Sequence, residues 1–467
     1  MRHAGLMQGL EGGGGSTVRG DPADVRRTVH WLAVALCAAA MVAALDAWFH
    51  RGAADQAVAW SLPSPGYGPA TFSAALQASD ASIAAKSALL DTFPGEWPRE
   101  EALARAQLER FRLTGHYEDL AAASTSAVRA RSLATDPAGP VLTDAAIALA
   151  GHRLAAAEAA LAALSRWAVP PPAAELAEAR ALTADIAFYR GDMERARKDY
   201  RVLGATDPAA SARRLAMIDK ASGRFDEAVA NLRSSLESER SPTPFTVASI
   251  AMQIGAVELG RGNYREAERR FEEAARIFPG FWVIDAHLAQ SRALAGKPRE
   301  AIERMREIAR SSRSAEVMDA LAMLLRAYGQ PAESRVWSRR AGELWRQRLA
   351  LAPEAAYGHA IEHELVFGDP RRALGLAQRN LDARPFGESR ILLANALIAN
   401  GHVADALRQL SLAEASGWQS APLFALRAQA LALAGREAEA EQARNAATAL
   451  NPRILDAETA LVWFSHG

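Results

Sequence analysis

The sequence is short of cysteine and carries no excess charge of either sign. Cys37 is the only cysteine among 467 residues, so an intramolecular disulfide and a cysteine-based zinc site are both excluded. Lys and Arg total 54, and Asp and Glu total 54, so no global field attracts nucleic acid. The arginines alternate with acidic residues, as in REAERRFEEAAR at 265–276, which is typical of solvated helix faces with surface ion pairs. The composition therefore predicts no nucleic-acid partner.

Recognisable catalytic motifs are also lacking. The sequence has no G-x-S-x-G nucleophile elbow, no phosphate-binding loop and no dinucleotide-binding glycine pattern after a strand. Residues 359–363, HAIEH, do have the H-x-x-E-H order of a zinc-peptidase motif. His359 and His363 would share one helix face, where two imidazoles can bind one Zn²⁺, but no third ligand accompanies them. We predict no catalytic residue, metal or cofactor, and keep as an alternative a zinc hydrolase that uses His359, Glu362 and His363.

The N-terminal part contains a long apolar run. Residues 1–27 include four consecutive glycines and show no apolar periodicity, so we expect a disordered tail. Within residues 28–49, 15 consecutive residues from Trp31 to Leu45 are apolar. Residues 28–49 are long enough to cross a hydrocarbon core of about 30 Å, and Trp31 and Trp48 lie where interfacial aromatic residues are expected. We therefore predict a single transmembrane anchor at 28–49.

Two other interpretations of this run are a cleaved signal peptide and a buried helix of a soluble fold. The long polar leader and the flanking tryptophans favour an uncleaved anchor. Arg19, Arg26 and Arg27 precede the run, whereas only Arg51 follows it closely. The positive-inside rule then predicts that the N-terminus is cytoplasmic and that the rest of the chain is periplasmic.

A pair of amphipathic helices is predicted between Ser249 and Gly280. In its second half, small and bulky residues recur every three or four positions, which places them on one helix face: Tyr264, Ala267, Phe271 and Ala274. Gly262 supplies the backbone freedom for the turn between the helices, and Pro279 cannot continue the second helix. A single pair of this kind cannot bury its apolar face alone, so neighbouring pairs must stack on it.

The same pattern recurs along most of the chain. The other turn glycines are Gly115, Gly151, Gly191, Gly223, Gly296, Gly329, Gly368, Gly401 and Gly435. A small residue follows most of them by five positions: Ala156, Ala196, Ala228, Ala301, Ser334, Ala373, Ala406 and Ala440. After Gly115 this position is Leu120 instead. We expect a helical array over 72–452, preceded by a proline-rich linker at 50–71.

Two places depart from the regular spacing. The sequence VPPP at 169–172 predicts an extra loop between the units at Gly151 and Gly191. Between Gly329 and Gly368 the second helix is predicted to be prolonged through WRQRLALAP at 345–353. The array is expected to bend or to divide into two sub-arrays at such places.

Over roughly residues 98–452 this order of residues resembles the tetratricopeptide repeat, as in membrane-anchored bacterial proteins of this type. The resemblance implies an all-α fold, namely an α-solenoid of about ten helix pairs. In such arrays a terminal helix covers the last repeat, and residues 453–467 are expected to form that capping helix.

The resemblance also implies where a partner binds. The first helix of each pair would line a concave surface, and the position six residues before the turn glycine would face it. The polar residues at that position are Asp185, Gln290, Glu362, Asn395 and Gln429. Asn and Gln side chains there can hydrogen-bond the backbone of an extended peptide. We expect a non-catalytic scaffold for protein or peptide partners at the inner membrane, with a cytoplasm-facing regulator of envelope biosynthesis as the alternative.

Overall fold

A computed structural model of the chain describes residues 60–135, 138–167 and 171–463. The chain divides into two units, Met1–Leu62 and Pro63–Gly467, and of the first only residues 60–62 are described. The predicted tail at 1–27 and the predicted anchor at 28–49 lie outside the described residues. Across the ranges that are described, no helix is both long enough and apolar enough to cross a membrane.

The second unit is entirely helical over its described residues. It contains 21 α-helices, two 3₁₀ helices (Ala163–Arg166 and Ala457–Leu461) and, in these ranges, no β-strand. The α-helices are α1 (Phe72–Thr92), α2 (Trp97–Thr114), α3 (Tyr117–Leu133), α4 (Val141–Ala150), α5 (Leu154–Ala162), α6 (Ala173–Tyr189), α7 (Met193–Leu203), α8 (Pro208–Ala221), α9 (Phe225–Glu237), α10 (Pro244–Gly260), α11 (Tyr264–Ile277), α12 (Trp282–Leu294), α13 (Pro298–Ser312), α14 (Ala315–Ala327), α15 (Pro331–Leu351), α16 (Pro353–Phe367), α17 (Pro370–Ala383), α18 (Gly387–Ala399), α19 (Val403–Ala415), α20 (Ala421–Leu433) and α21 (Glu437–Leu450).

After α1, consecutive helices form ten packed pairs, from α2 with α3 to α20 with α21. The second helix of each pair also packs on the first helix of the next, so the apolar faces are buried between neighbours. In α11, Ala267, Phe271 and Ala274 are fully buried, as their spacing predicts. The all-helical fold is confirmed.

Local sequence signals set the ends of these helices. Thr243, Ser314 and Ser420 each accept a hydrogen bond from the backbone N–H three residues ahead, which satisfies one of the unpaired donors of a helix start. Pro208 and Pro244 occupy the first position of their helices, where the missing N–H costs nothing. The first turns of α8, α10, α14 and α20 are therefore encoded locally.

Eight of the ten turns between paired helices use glycine in the left-handed region; Gly151 and Gly368 have negative φ angles. The φ angle lies between 67° and 85° at Gly115, Gly191, Gly223, Gly262, Gly296, Gly329, Gly401 and Gly435. Side chains other than glycine rarely adopt such angles. Five positions later the small residue is buried, as at Ala196, Ala267 and Ala406, all with no exposed surface. A small side chain there lets two helix backbones approach closely.

The unit at Gly151 corrects the predicted alignment by one residue. Gly151 has a φ of −86°, and the left-handed residue is His152, with a φ of 56°. The small residue five positions after His152 is Ala157, which is fully buried, whereas the predicted Ala156 is exposed. The sequence interpretation took the glycine as the marker of the turn, but here the turn uses the following histidine.

Early and late pairs of the array pack directly against each other. The rings of Tyr189 and Phe386 lie 5.3 Å apart in an edge-to-face arrangement. The backbone N–H of Gln419 donates to the carbonyl of Ala221 at 2.8 Å. These contacts join α6 and α8 to the segments that precede α18 and α20, so the described array is one compact unit rather than two sub-arrays.

The end of the chain does not continue the stack. Asn451 follows α21 and its amide donates to the carbonyl of Gly260 at 3.1 Å, across 191 residues of sequence. Ala457–Leu461 is a 3₁₀ helix that packs on α12 and α14. The expected capping helix at 453–467 is therefore, over its described part, a turn and a short 3₁₀ helix that contact earlier pairs.

Candidate binding site

The five predicted groove residues lie on the first helices of their pairs. Asp185 is on α6, Gln290 on α12, Glu362 on α16, Asn395 on α18 and Gln429 on α20. Asn395 and Gln429 are exposed, Asp185 and Glu362 are half-buried, and Gln290 is buried. The five residues occupy the same position of the repeat, but their surroundings differ. Three of them, Asp185, Gln290 and Glu362, contact other residues of the chain.

Asp185 joins three helices. Its Oδ1 accepts a hydrogen bond from the Tyr200 hydroxyl at 2.8 Å, and its two oxygens accept from Arg214 Nε at 2.8 Å and Nη2 at 2.9 Å. Burial, together with the charge of Asp185, raises the pKa of Tyr200 above its ordinary value, so this hydroxyl stays a donor. The carboxylate thus links α6 to α7 and α8 and has a structural role.

Glu362 pairs with a histidine of the same helix. Its Oε2 lies 3.0 Å from His359 Nδ1. Although burial acts to lower it, the hydrogen bond and the charge of Glu362 raise the pKa of His359 to about 9, with a further contribution from Glu316. His359 is therefore an imidazolium at neutral pH, and its ring stacks on that of Trp345 with the centroids 5.8 Å apart.

His363 belongs to a different cluster. Its Nδ1 lies 2.7 Å from Oδ1 of Asp319, and Trp345 Nε1 donates to the other oxygen at 2.8 Å. Asp319 has no exposed surface, and a buried carboxylate needs such partners. The contacts tie α14, α15 and α16 together.

These contacts bear on the HAIEH motif. Neighbouring carboxylates contact Nδ1 of both His359 and His363, as they also do at metal-binding histidines, so a metal site would need a third ligand close to both rings. Within the described part of the chain, no three metal-ligating side chains converge on one point. The arrangement explains both histidines as structural residues of α16.

A second buried ion pair was not predicted from the sequence. Arg348 Nη1 lies 2.8 Å from both carboxylate oxygens of Glu316. Although burial acts to raise it, Arg348 lowers the pKa of Glu316 to about 2. The guanidinium also lies 4.8 Å from the ring centroid of Tyr117, whose hydroxyl donates to the carbonyl of Ala355 at 3.0 Å. Tyr117 is more than 190 positions from its partners, so no spacing in the sequence signals this cluster.

Gln290 makes the contact that was predicted for a peptide partner. Its side chain is 1% exposed, and its Oε1 accepts a hydrogen bond from the backbone N–H of Trp463 at 2.7 Å. The peptide at this position is the C-terminal segment of the chain itself.

Asn395 and Gln429 remain open to solvent. They occupy the same position in two consecutive units, and their helices α18 and α20 are in contact. Both side chains are exposed and offer amide donors and acceptors. Of the five predicted positions, these two form the exposed polar surface, which we call the α18–α20 surface.

Comparison with solved structures finds helical proteins of low similarity. A human IFIT1 dimer with PPP-AAAA is 15% identical, with a TM-score of 0.37 and coverage of 79% of this chain and 94% of that chain. A tetratricopeptide repeat protein from Parabacteroides merdae is 14% identical, with a TM-score of 0.32 and coverage of 55% and 99%. Likenesses this low carry no ligand over to this chain. No curated protein matches its sequence.

A family model for the tetratricopeptide repeat matches residues 207–280. This range begins at Asp207, whose side chain caps α8, and it ends just after α11. It therefore covers two complete helix pairs, with the turns at Gly223 and Gly262. The other pairs repeat the helix–turn–helix form of these two. The chain therefore contains tetratricopeptide repeats at 207–280.

Proposed function

We propose that the chain is a non-catalytic scaffold that binds protein or peptide partners at the bacterial envelope. Tetratricopeptide repeats support an interaction role, and an array of ten helix pairs can present several surfaces at once. The ionisable clusters of the first helices support the same proposal, because their side chains are engaged in contacts within one helix or between helices. Fold alone does not define a function, so the proposal depends on a particular surface.

The observation that carries the proposal is the α18–α20 surface. Asn395 and Gln429 are exposed on two adjacent first helices, whereas Asp185, Gln290 and Glu362 are engaged within the chain. Uncharged amides can both accept from backbone N–H groups and donate to backbone C=O groups. The partner chemistry that fits is an extended peptide segment, which brings its own unpaired backbone groups.

The second part of the proposal is a membrane tether. The apolar run at 28–49 would anchor the chain in the cytoplasmic membrane, and the arginine asymmetry places the array on the periplasmic side. A cytoplasm-facing regulator of envelope biosynthesis would require the opposite orientation.

The alternative of a zinc hydrolase receives no support from the surroundings of the HAIEH segment. His359 and His363 pair with different carboxylates, those of Glu362 and Asp319. The pair of His363 with Asp319 ties α16 to α14, and the pair of His359 with Glu362 lies within α16.

Photo-crosslinking in the producing cell tests the α18–α20 surface. A photoreactive amino acid replaces Asn395, Gln429 or, as a control, Glu441, whose side chain on the second helix α21 is 60% exposed. We expect Asn395 and Gln429 to crosslink to the same protein and Glu441 not to crosslink to it. Crosslinking of one protein equally at all three positions, or at none, would contradict the proposed surface.

A further inference from the structure

The C-terminal segment lies on the array as a bound peptide would. After the 3₁₀ helix Ala457–Leu461, Val462 is extended, with a φ of −79° and a ψ of 99°. The next backbone N–H, that of Trp463, donates to Gln290 Oε1 at 2.7 Å. A glutamine of a first helix that accepts from an extended backbone is the contact expected for a peptide ligand.

Apolar side chains of the segment support this contact. Leu461 is 8% exposed in a 3₁₀ helix that packs on α12 and α14. The Trp463 ring lies 6.3 Å from the ring of Phe367 on α16. The hydroxyls of Thr459 and Tyr264 are 3.2 Å apart. The residues Leu461, Val462 and Trp463 are thus held through one backbone hydrogen bond and two apolar anchors.

Part of the segment and the residues just before it are nevertheless exposed. Residues 455–458 are exposed, and Leu455 keeps 53% of its surface in solvent. The indole N–H of Trp463 is buried and has no acceptor among the described residues. A buried donor without a partner is unfavourable, which weakens the bound state of the segment. A segment with these features is suited to displacement by another peptide.

We propose that residues 457–463 are a displaceable internal ligand of the surface formed by Gln290 and Phe367. The surface takes a peptide with an aliphatic residue two positions before an aromatic one, in the conformation that Leu461 to Trp463 adopt. A partner that carries such a segment competes with the chain's own end. This inference rests on the proposed scaffold function and adds a second, self-occupied surface to it.

Binding of a peptide in trans tests the inference. The probe is a labelled, amidated peptide of residues 451–463, NPRILDAETALVW, and the control probe carries L461A and W463A. Its affinity is measured for the full chain and for a variant that lacks residues 457–467. We expect the shortened chain to bind the probe at least about tenfold more tightly, because a tethered segment competes at a high effective concentration.

Two further variants make the outcome decisive. Gln290→Ala in the shortened chain should weaken probe binding, because the backbone acceptor is lost. Leu461→Asp in the full chain should release the segment without shortening the chain, and should raise the affinity for the probe. Circular dichroism and the melting temperature report whether each variant is folded.

Several results would overturn the inference. They are equal affinity of the full and shortened chains, absence of binding to a folded shortened chain, and loss of folding in both releasing variants, which would make the segment an obligatory part of the fold. None of these results affects crosslinking at Asn395 and Gln429, so failure of this inference and failure of the proposed function are distinguishable.

Discussion

His359 and His152 have pKa values that are displaced in opposite directions. Although burial acts to lower it, Glu362 and Glu316 raise the pKa of His359 to about 9. Burial lowers the pKa of His152 well below its ordinary value, and the positive charges of Arg384 and His359 act in the same direction. The first histidine is therefore stabilising in its charged form, and the second is tolerated only in its neutral form.

The pH dependence of stability should separate these two effects. The pKa of His359 rises on folding from 6.5 to about 9, so its contribution is complete below pH 6.5 and is lost as the pH rises to 9. His359→Gln should lower the free energy of unfolding by on the order of 2 kcal/mol more at pH 6.5 than at pH 9. Urea unfolding of both proteins in detergent, followed by circular dichroism, measures this difference.

In the unchanged chain and in the His359→Gln variant, His152 has the opposite effect on the pH dependence of stability. Since its pKa falls on folding, its contribution to stability is lost as the pH falls below about 6.5. Its effect falls below about pH 6.5, outside the range compared, so the difference between the two proteins from pH 6.5 to 9 reports chiefly on His359. A difference that does not change between pH 6.5 and 9 would contradict the ion pair of His359 with Glu362.

At the scale of single elements, the turn glycines fall into two groups. A Cβ atom on Gly191 would lie 2.8 Å from the carbonyl oxygen of Pro385, because this turn packs against a later pair. A Cβ atom on Gly296 would meet no described atom within 4 Å. The φ angles are 85° and 76°, so the backbone of an alanine would be strained at both positions. Only at position 191 would its Cβ atom also clash with a neighbouring atom.

This contrast provides a matched pair of variants. Gly296→Ala should lower the free energy of unfolding by about 1 kcal/mol through backbone strain alone. Gly191→Ala should lower it by roughly 3 kcal/mol, since the backbone of Pro385 must also move. Chemical denaturation of both variants beside the unchanged chain measures the losses, and equal losses would show that the turn does not pack on Pro385.

Helix α15 illustrates what the sequence predicts about an element and what it does not. The prolongation through 345–353 was predicted, and α15 extends to Leu351. Its additional turns place Arg348 against Tyr117 and Glu316. The length follows from local helix signals, but these partners lie in other pairs, and periodicity within one helix carries no information about them.

The site shows the same division between local and distant information. Its place six residues before the turn glycine predicts that Gln290 can bind an extended peptide. Gln290 does accept a hydrogen bond from such a segment. That the segment belongs to the same chain, at Trp463, depends on how distant pairs pack. Gly151 was misaligned for a local reason, because His152 adopts an angle that sequence reasoning reserves for glycine.

At the scale of the whole molecule, early and late helix pairs of the described array contact each other. Hydrogen bonds link residues 196 positions apart, at His116 and Ser312, and 191 positions apart, at Asn451 and Gly260. A contact at a similar separation, between Trp463 and Gln290, covers one position that the repeat alone would leave open. We therefore expect partner binding at exposed positions such as Asn395 and Gln429.

The central claim of this account is that the array acts as a scaffold outside the cytoplasm, tethered through residues 28–49. A reporter enzyme that is active only outside the cytoplasm, fused after Gly467, tests it most directly. The untagged chain is fractionated alongside, and a fusion that lacks residues 28–49 is the control. We predict an active fusion and an untagged chain in the membrane fraction. An expressed but inactive fusion, or an untagged chain in the soluble fraction, would contradict the claim.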